Sequence, residues 1–149
     1  MLTNKGKYGL KAMVHLATVP EGRSVQAAEI AEANGIPKAF LDTILLELRK
    51  AGFVRSKKGP GGGFTLARPP SEIRMGYVVR TLDGPIAPLP CARRKTAQPC
   101  DDCQNADHCS VRILMQDVRD AMADVLDRTT LEQMRDRAAS GIDVGDYVI

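Results

Sequence analysis

All four cysteines of the 149-residue chain, Cys91, Cys100, Cys103 and Cys109, fall within nineteen residues in the spacing C-x8-C-x2-C-x5-C. Thiolates are soft donors suited to iron-sulfur clusters or zinc, and an irregular loop that wraps such an ion is ordered by it. The pattern predicts a metal centre built on these four residues. The first expectation is an iron-sulfur cluster, of either the 2Fe-2S or the 4Fe-4S type. Zinc in a closed tetrahedral thiolate site, or reversible thiol oxidation, would use the same residues. His108 adjoins Cys109 as a possible substitute ligand, but a lone histidine in a polar loop is more often solvated, and His15 is expected to be structural. The pair Cys100 and Cys103 has the C-x2-C spacing of thiol-disulfide oxidoreductases, yet the βαβ surroundings that activate such a pair are missing. No other catalytic constellation is present, so neither an enzyme nor a small-molecule substrate is expected.

The cysteines need a frame. Residues 83–109 contain Pro85, Pro88, Pro90 and Pro99 and no periodicity, which predicts a long loop, and long loops in compact domains tend to be functional or ligand-ordered. Beyond it, Val111, Leu114, Met115, Val118, Met122 and Val125 recur at three- and four-residue steps, predicting a helix over 110–127 with an apolar seam. Such a seam wants a partner helix, and a second copy of the chain is the simplest partner. Thr129 with Glu132 resembles a capping box opening a last helix that carries Leu131 and Met134 to about Ala139, and residues 141–149 form the expected tail.

Ahead of the loop, Leu10, Met13, Val14 and Ala17 lie on one face of a first helix that Pro20 ends. A short second helix buries Ala27, Ile30 and Ala31 and stops at Asn34-Gly35. A third opens at Ile36-Pro37, with Leu41, Ile44, Leu45 and Leu48 inward. Two such helices joined by a glycine-containing turn form a helix-turn-helix, whose second helix enters the DNA major groove. Lys38, Ala39, Asp42 and Thr43 then project outward at its start. Asp42 would accept from a cytosine amino group, Ala39 would meet a thymine methyl, and Thr43 would reach a base or phosphate. Phe53 to Ser56 and Phe64 to Ala67 predict two strands around Lys57-Lys58-Gly59-Pro60-Gly61-Gly62-Gly63. That hairpin has the composition of a wing. Arg55, Lys57 and Lys58 would grip phosphates or the minor groove, with Lys5 and Lys7 adding backbone contacts, and Gly59 and Gly61 would let the backbone approach the duplex closely. Met75 to Leu82 predicts one more helix.

Charge agrees with this division. Residues 1–82 carry 13 Lys and Arg against 6 Asp and Glu, net +7, whereas residues 83–149 carry 8 against 12, net −4. A double-stranded DNA operator would attract the first part and repel the second. No secretion signal interrupts the start and no run has transmembrane length, so a cytoplasmic protein with no membrane partner is expected. The fold class that follows is mostly α with a small β-wing. Residues 1–82 form a winged helix-turn-helix domain, 83–109 a cysteine sensor loop, and 110–140 a dimerisation helix with a C-terminal helix.

Three blocks, LTNKGKYGLKAM near the start, LRKAGFV at the end of the recognition helix and GPGGGFTLARP in the wing, followed by the cysteine loop and TLEQM, resemble the IscR/NsrR/RirA-type family of bacterial regulators across roughly residues 1–140. The resemblance implies a homodimer whose long helices pair, a cluster held in the loop, and control of promoters by cluster state; a repressor is the expected role. Family members that hold a cluster usually show three cysteines at shorter gaps with a fourth ligand of another type. Cys91, Cys103 and Cys109 match those three. Cys100 then either completes an all-cysteine site or replaces the variable ligand.

Overall fold

The computed structural model describes residues 2–141, so the tail expected over 141–149 lies almost wholly outside the described residues. Six α-helices run in the order α1 (Asn4–Thr18), α2 (Ala27–Asn34), α3 (Lys38–Lys50), α4 (Met75–Asp83), α5 (Ser110–Arg128) and α6 (Leu131–Ala139). Between α3 and α4 lie two antiparallel strands, β1 (Val54–Lys57) and β2 (Gly63–Leu66), with Val54 opposite Leu66 and Lys57 opposite Gly63. The architecture is the expected one, mostly helical with a two-stranded wing. Each strand is displaced by one residue from the predicted span, the usual uncertainty of element ends.

The core is centred on α3, whose Leu41, Ile44, Leu45 and Leu48 are all fully buried as their spacing requires. Pro37 is the N-cap rather than the first helical residue, with ψ 124 taking it out of the helix. Asn34-Gly35 does stop α2: Gly35 adopts φ 63, a left-handed conformation that glycine enters without steric cost. In α1 the buried face is Gly6, Gly9, Ala12, Met13, Leu16 and Ala17, while Leu10 and Val14 pack at the core's edge. The face is rotated from the predicted stripe because the two glycines let α4 come close. A Cβ on Gly9 would lie 2.0 Å from Leu82 Cδ1.

The chain returns to this core at its far end. Leu131 is fully buried, and Met75 N donates to Thr129 O at 2.9 Å while Leu131 N donates to Ile73 O at 2.8 Å. The capping box of α6 is built on Thr130 and Gln133 instead of Thr129 and Glu132. Thr129 Oγ1 is already used, donating to Val125 O at 2.7 Å to close α5. Helix α5 has no buried residue among its nineteen. Met115 and Met122 of the predicted seam are half-covered, whereas Val111, Leu114, Val118, Ala121 and Val125 are exposed. Residues 84–109 are irregular apart from short 3-10 turns at Pro90–Ala92 and Ala106–His108.

Candidate DNA interface and cysteine centre

On α3 the buried positions leave Lys38, Ala39, Asp42 and Thr43 on the opposite face, and all four are exposed. Lys38 Nζ sits 3.0 Å from Asp42 Oδ2, which offsets the carboxylate's repulsion from phosphates and leaves its second oxygen free. Thr43 Oγ1 donates back to Ala39 O at 3.4 Å. The outward stripe continues to Leu46, 40% exposed, which hydrophobic periodicity had no reason to single out. Lys5 is less available than expected, because its Nζ pairs with Glu47 Oε1 at 2.7 Å.

In the wing, Arg55, Lys57, Lys58, Gly59 and Gly61 are exposed, and the three cations form no ion pair among the described residues. The hairpin itself also needs these glycines. Gly59 and Gly61 supply positive φ, 88 and 73, to turn the hairpin. A Cβ on Gly62 would meet Lys57 O at 2.3 Å, and one on Gly63 would meet Val25 O at 2.6 Å. The chain's own backbone therefore has a use for all four, and Val25 pairs with Phe64 as an isolated bridge beside the hairpin. The unpaired lysines remain the wing's signal for phosphate. Replacing Lys57 and Lys58 by alanine is expected to lower the slope of log affinity against log salt by about one unit per lost phosphate contact. An unchanged slope in equilibrium titrations on duplex DNA would remove the wing from the interface.

The cysteines are gathered in sequence more closely than in space. Cys91 is buried and Cys100 exposed, with their Sγ atoms 4.0 Å apart. The hydrogen bond to Cys91, the largest cause, holds the Cys100 thiol above its ordinary pKa. Cys103 N donates to Cys100 O at 3.0 Å. Cys109 is the N-cap of α5, its Sγ accepting from Arg112 N at 3.5 Å. Among the described residues no three of His, Cys, Asp and Glu converge on one point. Two thiolates on a tetrahedral ion at about 2.3 Å sit roughly 3.8 Å apart, so the Cys91 and Cys100 sulfurs already have the spacing of two ligands on one metal. The four thiols are chemically suited to a metal or cluster, and the structure brings one pair of them, Cys91 and Cys100, to that spacing.

Arginines that no motif flagged fix this loop to α5. Arg112 Nε donates to Cys91 O at 3.0 Å and its Nη1 to Ala106 O at 3.1 Å, while Arg119 Nη1 donates to Ala92 O at 2.7 Å. Asp120 accepts from Arg94 at 2.8 Å and from Arg119 at 2.9 Å, and these bonds lower its pKa. At the other end of α5, Arg80 of α4 grips Asp127 by two parallel bonds of 2.6 and 2.9 Å. That pairing holds the Asp127 carboxyl below the usual carboxylate range. Gly76 leaves room for this pair, since a Cβ there would lie 1.8 Å from Asp127 Oδ1 and force the carboxylate to shift.

A helix-turn-helix with a basic wing and an outward-facing long helix defines the chain as a winged-helix protein of the bacterial transcription-regulator class. Residues 2–137 match the family described as Rrf2, iron-dependent transcriptional regulator, and the chain belongs to that family. It is 45% identical over 137 residues to an rrf2-like helix-turn-helix transcriptional regulator of Rhodobacter capsulatus, covering 90% of this chain and 91% of that one. It is 34% identical over 133 residues to the regulator IscR of Pectobacterium carotovorum, covering 89% of this chain and 77% of that one. Among solved structures it resembles CymR, the global cysteine regulator of B. subtilis, with TM-score 0.73, 33% identity and coverage of 91% and 96%. It also resembles T. potens IscR, with TM-score 0.74, 29% identity and coverage of 97% and 93%. Among the described residues no helix is long and apolar enough to cross a membrane.

Proposed function

We propose that this regulator is a cytoplasmic homodimer that binds a double-stranded DNA operator, acts as a repressor, and changes operator affinity with the state of an iron-sulfur cluster held by Cys91, Cys100, Cys103 and Cys109. Residues 1–82 read DNA, 83–109 sense, and 110–140 dimerise; no catalysis is part of this function. In the reading domain, Lys38, Ala39, Asp42 and Thr43 meet base edges while Arg55, Lys57 and Lys58, presented on the Gly59 to Gly61 turn, hold phosphates. A bound cluster supplies a group that responds to iron supply and oxidation.

The observation that carries the reading is the double attachment of α5. Its first turn is capped by Cys109, and its last is tied to α4 through Asp127 and Arg80. A rearrangement of the thiols therefore has a rigid route to the domain that carries the recognition helix. Zinc is the second reading, because the 4.0 Å separation of Cys91 and Cys100 suits two thiolates on one zinc ion equally well. Visible absorbance and acid-labile sulfide in anaerobically purified protein separate the two.

The test is operator affinity at fixed salt for anaerobic cluster-loaded protein against the same sample stripped of metal. A coupling of about 1–3 kcal/mol would appear as a difference of roughly 5- to 150-fold. Equal affinities would defeat the sensor function and leave DNA binding intact.

A further inference from the structure

We propose that Arg112 and Arg119 are the positioning residues of the cysteine centre, holding the Cys91 turn on α5 by its main chain so that movement of the thiols becomes movement of the helix. This rests on the sensor function above, and it assigns the residues that transmit the signal. The two arginines are seven residues apart, two helical turns, and therefore share one face of α5. They donate to consecutive carbonyls of one short turn, Arg112 to Cys91 O and Arg119 to Ala92 O. Arg112 also spans the loop, since its Nη1 reaches Ala106 O and its backbone N–H reaches Cys109 Sγ. One residue thus touches both ends of the cysteine segment. Both side chains are largely buried, 24% and 13% exposed, which makes these charge-assisted bonds less screened than surface pairs.

Arginine is required by the geometry. A planar guanidinium presents several donors in fixed directions and can serve two carbonyls at once, whereas a lysine ammonium at the end of its stem can reach only one of two points so placed. A bond to main-chain carbonyls holds the turn whatever the cysteine side chain binds, so the thiol is free to change state while its backbone stays coupled to α5. Without the two arginines the Cys91 turn would keep no main-chain bond to α5, only the exposed ion pair of Arg94 with Asp120, while Cys109 remains its N-cap.

The experiment uses the full-length protein with Arg112→Ala, Arg112→Lys and Arg119→Ala, and duplex DNA recovered by the wild-type protein from a randomised pool. Two quantities are read: hydrogen exchange of the Ala92 and Arg93 amides, which close the turn onto Leu89 O and Pro90 O, and the ratio of DNA affinities between cluster-loaded and stripped protein. The expected result is exchange at least about tenfold faster in the alanine variants. The affinity ratio should collapse to within about twofold in Arg112→Ala from the wild-type 5- to 150-fold. Arg112→Lys should fall between, and it replaces Arg112→Ala should the latter lose its helical circular dichroism. Wild-type exchange, or faster exchange with a wild-type ratio, would overturn the assignment. A wild-type ratio of one would instead remove the sensor function and the assignment with it.

Discussion

Val118→Asp is expected to leave the chain folded and monomeric at micromolar concentration, and to weaken operator binding by about 10²-fold or more, the usual scale when two linked contacts become one. The outward residues Val111, Leu114, Val118, Ala121 and Val125 follow one another at steps of three, four, three and four. Those steps repeat every seven residues, as a coiled-coil seam does, and the side chains along them are exposed rather than laid on the chain's own core. Val111, Leu114 and Val125 are 56, 56 and 61% exposed, an unusual concentration of wet aliphatic surface on one helix. Val118 stands at the centre of the stripe. In a two-fold dimer a central position faces its own copy or near neighbours of it, so an aspartate there buries like charges against each other. The fold should survive because Val118 makes no part of the buried core, which circular dichroism would verify. Sedimentation showing an intact dimer for Val118→Asp would move the interface elsewhere.

Much of this was legible in the residues. Leu41, Ile44, Leu45 and Leu48 define a helix whose buried side settles which residues face outward, and the structure leaves Lys38, Ala39, Asp42 and Thr43 exposed. The wing was legible from strand-forming residues around a glycine run, although the glycines serve the hairpin's own turn and its contact with Val25. Less was visible wherever a partner is distant in the chain. Gly6 and Gly9 carry no hydrophobic signal, yet they set how closely α4 packs on α1. Thr129 and Thr130 are chemically identical neighbours, and only the path of α5 decides which one caps α6. Arg80, Arg112 and Arg119 read as surface charge because arginine usually is. Their roles depend on Asp127, Cys91 and Ala92, which lie 47, 21 and 27 positions away. The thiols show the same limit, since spacing in a proline-rich loop names the donors without fixing where they sit.

Serine at Cys91, Cys103 or Cys109 is expected to reduce bound iron and acid-labile sulfide in anaerobically reconstituted protein to background, because a hydroxyl is a poor replacement for a soft thiolate. The three substitutions differ in what else they disturb. Cys109→Ser retains an N-cap acceptor for Arg112 N, and serine is among the residues favoured there, so α5 should persist while the metal is lost. Cys91 is only 6% exposed, and a serine in its place buries a hydroxyl at a cost of about 1–3 kcal/mol if it is left unpaired, so Cys91→Ala is the control that separates lost ligation from lost packing. Cys100 decides the ligand set. It is exposed, so Cys100→Ser carries little structural penalty, and its Sγ already lies beside that of Cys91 at metal-sharing distance. Iron and sulfide are therefore expected to fall in Cys100→Ser as far as in Cys91→Ser, the result an all-cysteine centre requires. Full retention of both in Cys100→Ser would mean that Cys91, Cys103 and Cys109 ligate with a fourth group of another type. Zinc without sulfide in the wild-type protein would convert the same four residues to a closed thiolate site and end the cluster assignment.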